Sequence, residues 1–132
     1  MKKLLLSFIL ISTLFGDIIL VGNQTCKIEN ISNVELKNIY LGINRTLNNE
    51  KINIYDSKDI KLYEEFITEI LKKSVVSLET YWVKMLFSGR AKPPQQISFS
   101  EFLELSNSKE CNMSYIRAKE YKSSLKRIAI VE

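Results

Sequence analysis

SLETYWVKMLFSGRAKPP, residues Ser77–Pro94, combines an amphipathic helix with a basic, glycine-punctuated turn. Leu78, Tyr81, Trp82, Met85 and Leu86 recur at i, i+3, i+4, i+7 and i+8, one apolar stripe at a 3.6-residue period. Ser77 supplies a hydroxyl oxygen for the first unpaired amides, and Gly89 suits the left-handed conformation that ends a helix. Pro93 and Pro94 prevent the helix from resuming. Two readings stay open from these residues. One is a core helix with a well-made stop. The other adds an anion-facing loop, since backbone amides and the cations Arg90 and Lys92 converge with Ser88 and Gly89.

Outward from this stretch, the chain begins Met1-Lys2-Lys3 and continues with an apolar run, Leu4–Leu14, interrupted only by Ser7, Ser12 and Thr13. Two lysines, a hydrophobic segment and a small residue at Gly16 predict a secretory signal peptide over residues 1–16. The run falls short of the roughly 20 apolar residues of a membrane span. A retained N-terminal anchor is the alternative. Residues 17–132 then suit one compact exported domain. The whole chain carries 19 Lys and Arg against 15 Asp and Glu, a net +4. Removing Lys2 and Lys3 leaves +2, too mild to imply nucleic acid as a partner.

Histidine is absent, which removes the commonest general base and zinc ligand, and the two cysteines alone make no metal site. In an oxidising compartment Cys26 and Cys111 are either a disulfide or two separate buried thiols. No G-x-S-x-G elbow, Walker A loop, G-x-G-x-x-G or H-E-x-x-H occurs. No enzyme and no cofactor is therefore expected. Four N-x-S/T triplets begin at Asn23, Asn30, Asn44 and Asn112, and an asparagine-rich chain produces such triplets by coincidence.

Along the chain, Asp17–Val21 reads as a buried strand. Ser32 and Glu35 form a capping box for a helix whose inner face is Leu36, Ile39 and Tyr40, closed by Gly42. Asn44–Lys51 is loop-like, and Ile52–Tyr55 is a second strand. Ser57 or Asp59 caps a helix with the face Ile60, Tyr63, Phe66, Ile67, Ile70 and Leu71, with Lys72 and Lys73 in its last turn. After the Ser77 helix, Ser98 and Glu101 form a second capping box over Phe99, Phe102 and Leu103. Asn112–Ile116 and Arg127–Val131 are further strands, with a short helical turn at Ala118–Tyr121. Alternating strands and helices indicate an α/β layer structure with a small parallel or mixed sheet.

Strand-to-helix turns are where open α/β sheets bind ligands, because amides at the helix start point outward. In the turn Asp56-Ser57-Lys58-Asp59 the donors are Ser57 and Lys58, and the acids Asp56 and Asp59 serve as caps or as a carboxylate pair.

The succession VELKNIYLG, INIYDSKD-x-x-LYEEF, YWVKMLFSGRAKPP and NMSYI resembles the phosphate-binding proteins of ABC transporters. It is most similar to small single-domain members of the type II periplasmic binding-protein-like superfamily. Leu36, Ile39, Tyr40, Leu41 and Gly42 match one motif of that family. Tyr81, Trp82, Phe87, Ser88, Gly89, Arg90, Pro93 and Pro94 match another. Full-length members place an arginine and an S-G-T triplet in the turn after the second strand, where this chain keeps only a serine. The resemblance implies a three-layer single lobe, a small mixed sheet flanked by helices. It also implies non-enzymatic capture of a small anion such as phosphate, with Ser57, Lys58, Ser88, Gly89 and Arg90 as contacts. The implied partners are an envelope protein or an ABC transporter subunit. A lobe that has lost its ligand and serves as an interaction or sensory module is the alternative.

Overall fold

A computed structural model describes residues 17–132, so the signal peptide expected over residues 1–16 lies outside the described residues. The strands are β1 (Ile18–Asn23), β2 (Asn30–Ser32), β3 (Thr46–Leu47), β4 (Glu50–Ser57), β5 (Gln95–Ile97), β6 (Cys111–Arg117) and β7 (Leu125–Val131). The helices are α1 (Asn33–Tyr40), α2 (Ile60–Glu65), α3 (Val75–Ser88) and α4 (Phe99–Leu103). One mixed sheet runs in the order β2-β7-β1-β6-β4, and the far edge of β4 carries β3 at its start and β5 at its end. β4, β5 and β6 are parallel to one another, whereas β1 is antiparallel to both β6 and β7.

Side-chain alternation sorts the strands into two faces. Leu20, Ile52, Ile54, Met113 and Tyr115 point to one side, where Leu36, Ile39, Phe66, Ile67, Leu71, Leu78 and Trp82 from α1 to α3 cover them. Ile19, Val21, Ile116 and Leu125 point to the other, against Ile97 and Phe102 beside α4. β1 and β6 are buried on both faces, and their continuous apolar runs follow from that position. The architecture is three-layered, as the sequence predicts.

Both capping boxes form: Ser32 with Glu35 and Ser98 with Glu101 exchange reciprocal hydrogen bonds. Gly42 and Gly89 adopt φ of +72° and +68°. Four local expectations change. The organising helix begins at Ser74, whose hydroxyl accepts the Ser77 amide at 3.1 Å, and Ser77 lies inside the helix. At its other end Leu86 is exposed, so the buried stripe ends at Met85. α2 stops at Glu65 and continues as a π-helical turn, Phe66–Ile70, in which the Leu71 amide bonds back to Phe66. Leu62, Phe66, Ile67 and Leu71 pack on the sheet, the last reached through the extra residue of the π-turn. Ile60 in the first turn is exposed, and the helix ends before Lys72 and Lys73. Within the expected 44–51 loop, β3 pairs with the first residues of β4.

Cys26 and Cys111 are joined, with Cα atoms 4.4 Å apart. The β1–β6 pairing sets Gly22 opposite Met113, and the turn after Asn23 returns Cys26 to the start of β6. Gly22 is needed where this happens, because a Cβ there would lie 2.7 Å from the Cys26 sulfur.

Candidate functional site

Parallel strands end on a common rim, and the helices that follow them begin there. β4 ends at Ser57, β5 at Ile97, and β6 passes between β4 and β1. At this rim Ser57, Lys58, Ser98, Ser114, Tyr115 and Phe102 line a cleft of about 270 Å³. Asp59 caps α2, accepting the amides of Lys61 and Leu62 at 3.1 and 3.3 Å. Ser98 caps α4, accepting the Glu101 amide at 3.1 Å. The Ser57 hydroxyl oxygen in turn accepts the Asp59 amide at 3.0 Å. Ser57 thus accepts with a lone pair, and its hydroxyl proton remains a donor. The Ser98 hydroxyl also lies 3.1 Å from that of Ser100, where either can donate, so the pair has one proton left to offer. The Lys58 ammonium donates to Glu101 Oε1 at 2.7 Å, with two further protons to offer. That lysine, and then the Ser98 backbone, pull the Glu101 carboxyl down to about 2.

Behind the cleft, the Tyr115 hydroxyl donates to Asp56 Oδ1 at 2.8 Å and accepts the Ser57 amide at 3.1 Å. Its ring stacks on Phe66 with centroids 3.7 Å apart. Burial, then the Asp56 charge, raise the Tyr115 hydroxyl far above its ordinary value, so it stays protonated and donates. Asp56 is 7% exposed. Burial lifts its carboxyl to about 6, against the lowering effects of the Tyr115 hydrogen bond and the Arg45 charge.

The sequence-predicted contacts divide between two places. Ser57 and Lys58 lie together in the rim cleft. Ser88, Gly89 and Arg90 are exposed at the end of α3 and are absent from the lining of this cleft. The chain reaches the rim only after β5: Gly89 and Arg90 precede that strand, and Ser98 follows it. Asp56 and Asp59 also separate. Asp56 alternates inward with Ile52 and Ile54, and Asp59 stays exposed as a cap. Ser98, Ser114 and Tyr115 were missing from the sequence reading of the site. The capping box marked Ser98 as a helix start, but the three-residue β5 before it has no periodicity that would place it on the rim.

This sheet, flanked by helices on both faces, is a mixed α/β fold that the chain shares with solved structures. The chain is similar to a solved structure, with bound phosphate, described as a phosphate ABC transporter substrate-binding protein from Clostridium perfringens. The TM-score is 0.63 at 15% identity, over 86% of this chain and 44% of that one. An ABC-type phosphate transport receptor from Vibrio cholerae gives a TM-score of 0.54 at 15% identity, over 86% of this chain and 46% of that one. A structure described as a phosphate-binding protein from Planctomyces limnophilus gives 0.56 at 15% identity, over 88% and 42%. The chain thus spans less than half the length of these structures. No protein-family model matches the chain, and no curated protein matches it.

Proposed function

We propose that this protein is an exported, non-enzymatic solute-binding lobe that captures a small anion such as phosphate at the rim of its parallel strands. The observation that carries the reading is the convergence of Ser57, Lys58 and Ser98 in one cleft at the ends of β4 and β5. The cleft belongs to a fold shared with phosphate-transport receptors. The anion would take the hydroxyl protons of Ser57 and Ser98 and the free protons of Lys58, with the opposite wall supplied from outside residues 17–132. An ABC transporter subunit is the partner this role requires.

The test is thermal melting of the purified protein against phosphate, sulfate, phosphonates, carboxylates and amino acids. A ligand at about 100 times its dissociation constant adds roughly 2.7 kcal/mol, a shift of several degrees in a domain of this size. A flat panel refutes the reading.

A second reading, an interaction or sensory module in the cell envelope, is favoured by a specific observation. The amides of Ser57, Lys58, Asp59, Lys61 and Leu62 all find partners within the chain, so the turn presents none of them to an anion. Crosslinking in intact cells that recovers an envelope protein, together with a flat panel, would establish that role.

A further inference from the structure

A second cleft, of about 500 Å³, opens beside β4 and β5 under α2 and α3, and its chemistry is opposite to that of the rim. Asp56, Tyr63, Glu79, Trp82, Pro93 and Pro94 line it. Glu79 and Trp82 stand three residues apart on α3, hence on the same face. Asp56 forms the buried acidic element of the wall. Its Oδ1 holds the Tyr115 hydroxyl, while its Oδ2 accepts no hydrogen bond from the described residues and, in a residue only 7% exposed, keeps its remaining access on the cleft that the residue lines. The Tyr63 hydroxyl is raised by burial, then by the negative charges of Asp56, Glu79 and Glu64, and of these Asp56 and Glu79 line the cleft beside it.

We propose that this cleft binds an organic cation, an ammonium or guanidinium head group held between Asp56 and Glu79 with its apolar shoulders against Trp82, Tyr63 and the two prolines. Aromatic faces attract such cations, and a buried carboxylate with a free oxygen supplies a directed acceptor. The same carboxylates repel anions, so this site is independent of the rim cleft. The groups around Asp56 are Tyr115, Tyr40 and Tyr63, neutral at physiological pH, and Arg45, whose guanidinium donates to the Lys92 carbonyl at 3.3 Å, with Glu79 of α3 lining the same cleft. Arg45 opposes the incoming charge, and Glu79 offsets it.

Trp82 is the chain's one tryptophan and reports the cleft directly. The purified protein is titrated with choline and agmatine as free small cations. N-acetyl-arginine amide represents the basic side chain of a peptide, and 3,3-dimethylbutanol is the neutral isostere of choline. A saturable change in Trp82 fluorescence with a cation, absent with the neutral isostere, is expected, and the cation that responds tells a free ligand from a peptide side chain. Binding should weaken about tenfold between pH 7.5 and pH 5, as Asp56 gains its proton. Asp56→Asn keeps an acceptor for Tyr115 and should abolish the response, while the exposed Glu79→Gln should weaken it roughly threefold. No fluorescence change with any cation, an equal response to 3,3-dimethylbutanol, or unchanged affinity in both variants overturns the proposal.

Discussion

Replacing Asp56 with Asn should make the protein more stable at neutral pH, although the substitution lies in the core. The carboxyl titrates at about 6 inside the fold against an ordinary 3.8, because burial penalises its charge. The folded state therefore holds this proton over a pH range in which the unfolded chain has released it, and stability falls as pH rises from about 4 through 6. At about 1.4 kcal/mol per pKa unit, ionising Asp56 costs the fold about 3 kcal/mol by pH 7.5. Asn keeps an oxygen for the Tyr115 hydroxyl, and its amide faces the cleft where water reaches it, so the variant should avoid most of that cost. Urea unfolding of both proteins at half-unit steps from pH 4 to pH 8 measures the difference directly. It should be near zero at pH 4, grow through pH 6 and level off above pH 7, with a rise in Tm on the order of 10 °C at the plateau. Absolute stability is a poor guide, because Glu101, held at about 2 by Lys58, has the opposite pH dependence as the solution is acidified through the ordinary carboxylate range. A variant less stable than the wild type at pH 7.5, or a difference that does not change with pH, would refute the argument.

The Cys26–Cys111 bond closes a loop 85 residues long, so Cys26→Ser with Cys111→Ser should lose about 4.5 kcal/mol in the chain-entropy account, read as a lower urea midpoint. A wild type whose midpoint ignores reductant would show that the bond is not made. Gly22→Ala pushes a methyl group toward the Cys26 sulfur and to 3.2 Å from Ile128 Cδ1, and should cost about 2 kcal/mol while slowing disulfide formation, followed by thiol titration during refolding. Ser57→Ala should remove the phosphate-induced rise in Tm, whereas Arg90→Ala should preserve it, because Arg90 precedes β5 and lies outside the rim cleft. The reverse pattern would move the anion site to the end of α3.

Features closed within a few residues were legible in the sequence. A capping box needs only Ser32 and Glu35, or Ser98 and Glu101, and a helix stop needs only Gly89 at positive φ. Features made by distant pairing were not. β2 exists because Asn30–Ser32 lies beside Ala129–Val131, and β5 exists because Gln95–Ile97 lies beside Tyr55–Ser57. Neither triplet has a period to read. That same β5 pairing extends β4 past Tyr55, which is why Asp56 follows the inward alternation of Ile52 and Ile54 and is not a turn residue. The disulfide stayed open in the sequence for the same reason, since it depends on β1 lying against β6. At the start of α3, two β-branched valines masked a helix that Ser74 caps.

Local satisfaction at the rim also limits which ligands the cleft can hold. In a strong anion site, helix-start amides are left free and the ligand completes the cap. Here Asp59 and Ser98 complete the caps, and Glu101 occupies Lys58. A fully ionised phosphate would meet Asp59, Glu101 and Glu120 before it reached the serine protons. A protonated oxyanion fits better, because it can donate to one of these carboxylates while accepting from Ser57 and Ser98. Affinity at the rim should therefore rise as the pH falls through the second ionisation of phosphate. At the Asp56 cleft, cation affinity should fall as Asp56 gains its proton near pH 6. Tyr115 touches both places, with its hydroxyl between the Ser57 amide and the Asp56 carboxylate. If both proposals hold, one chain would present, on either side of a single tyrosine, two clefts of opposite charge preference whose responses to acid run in opposite directions.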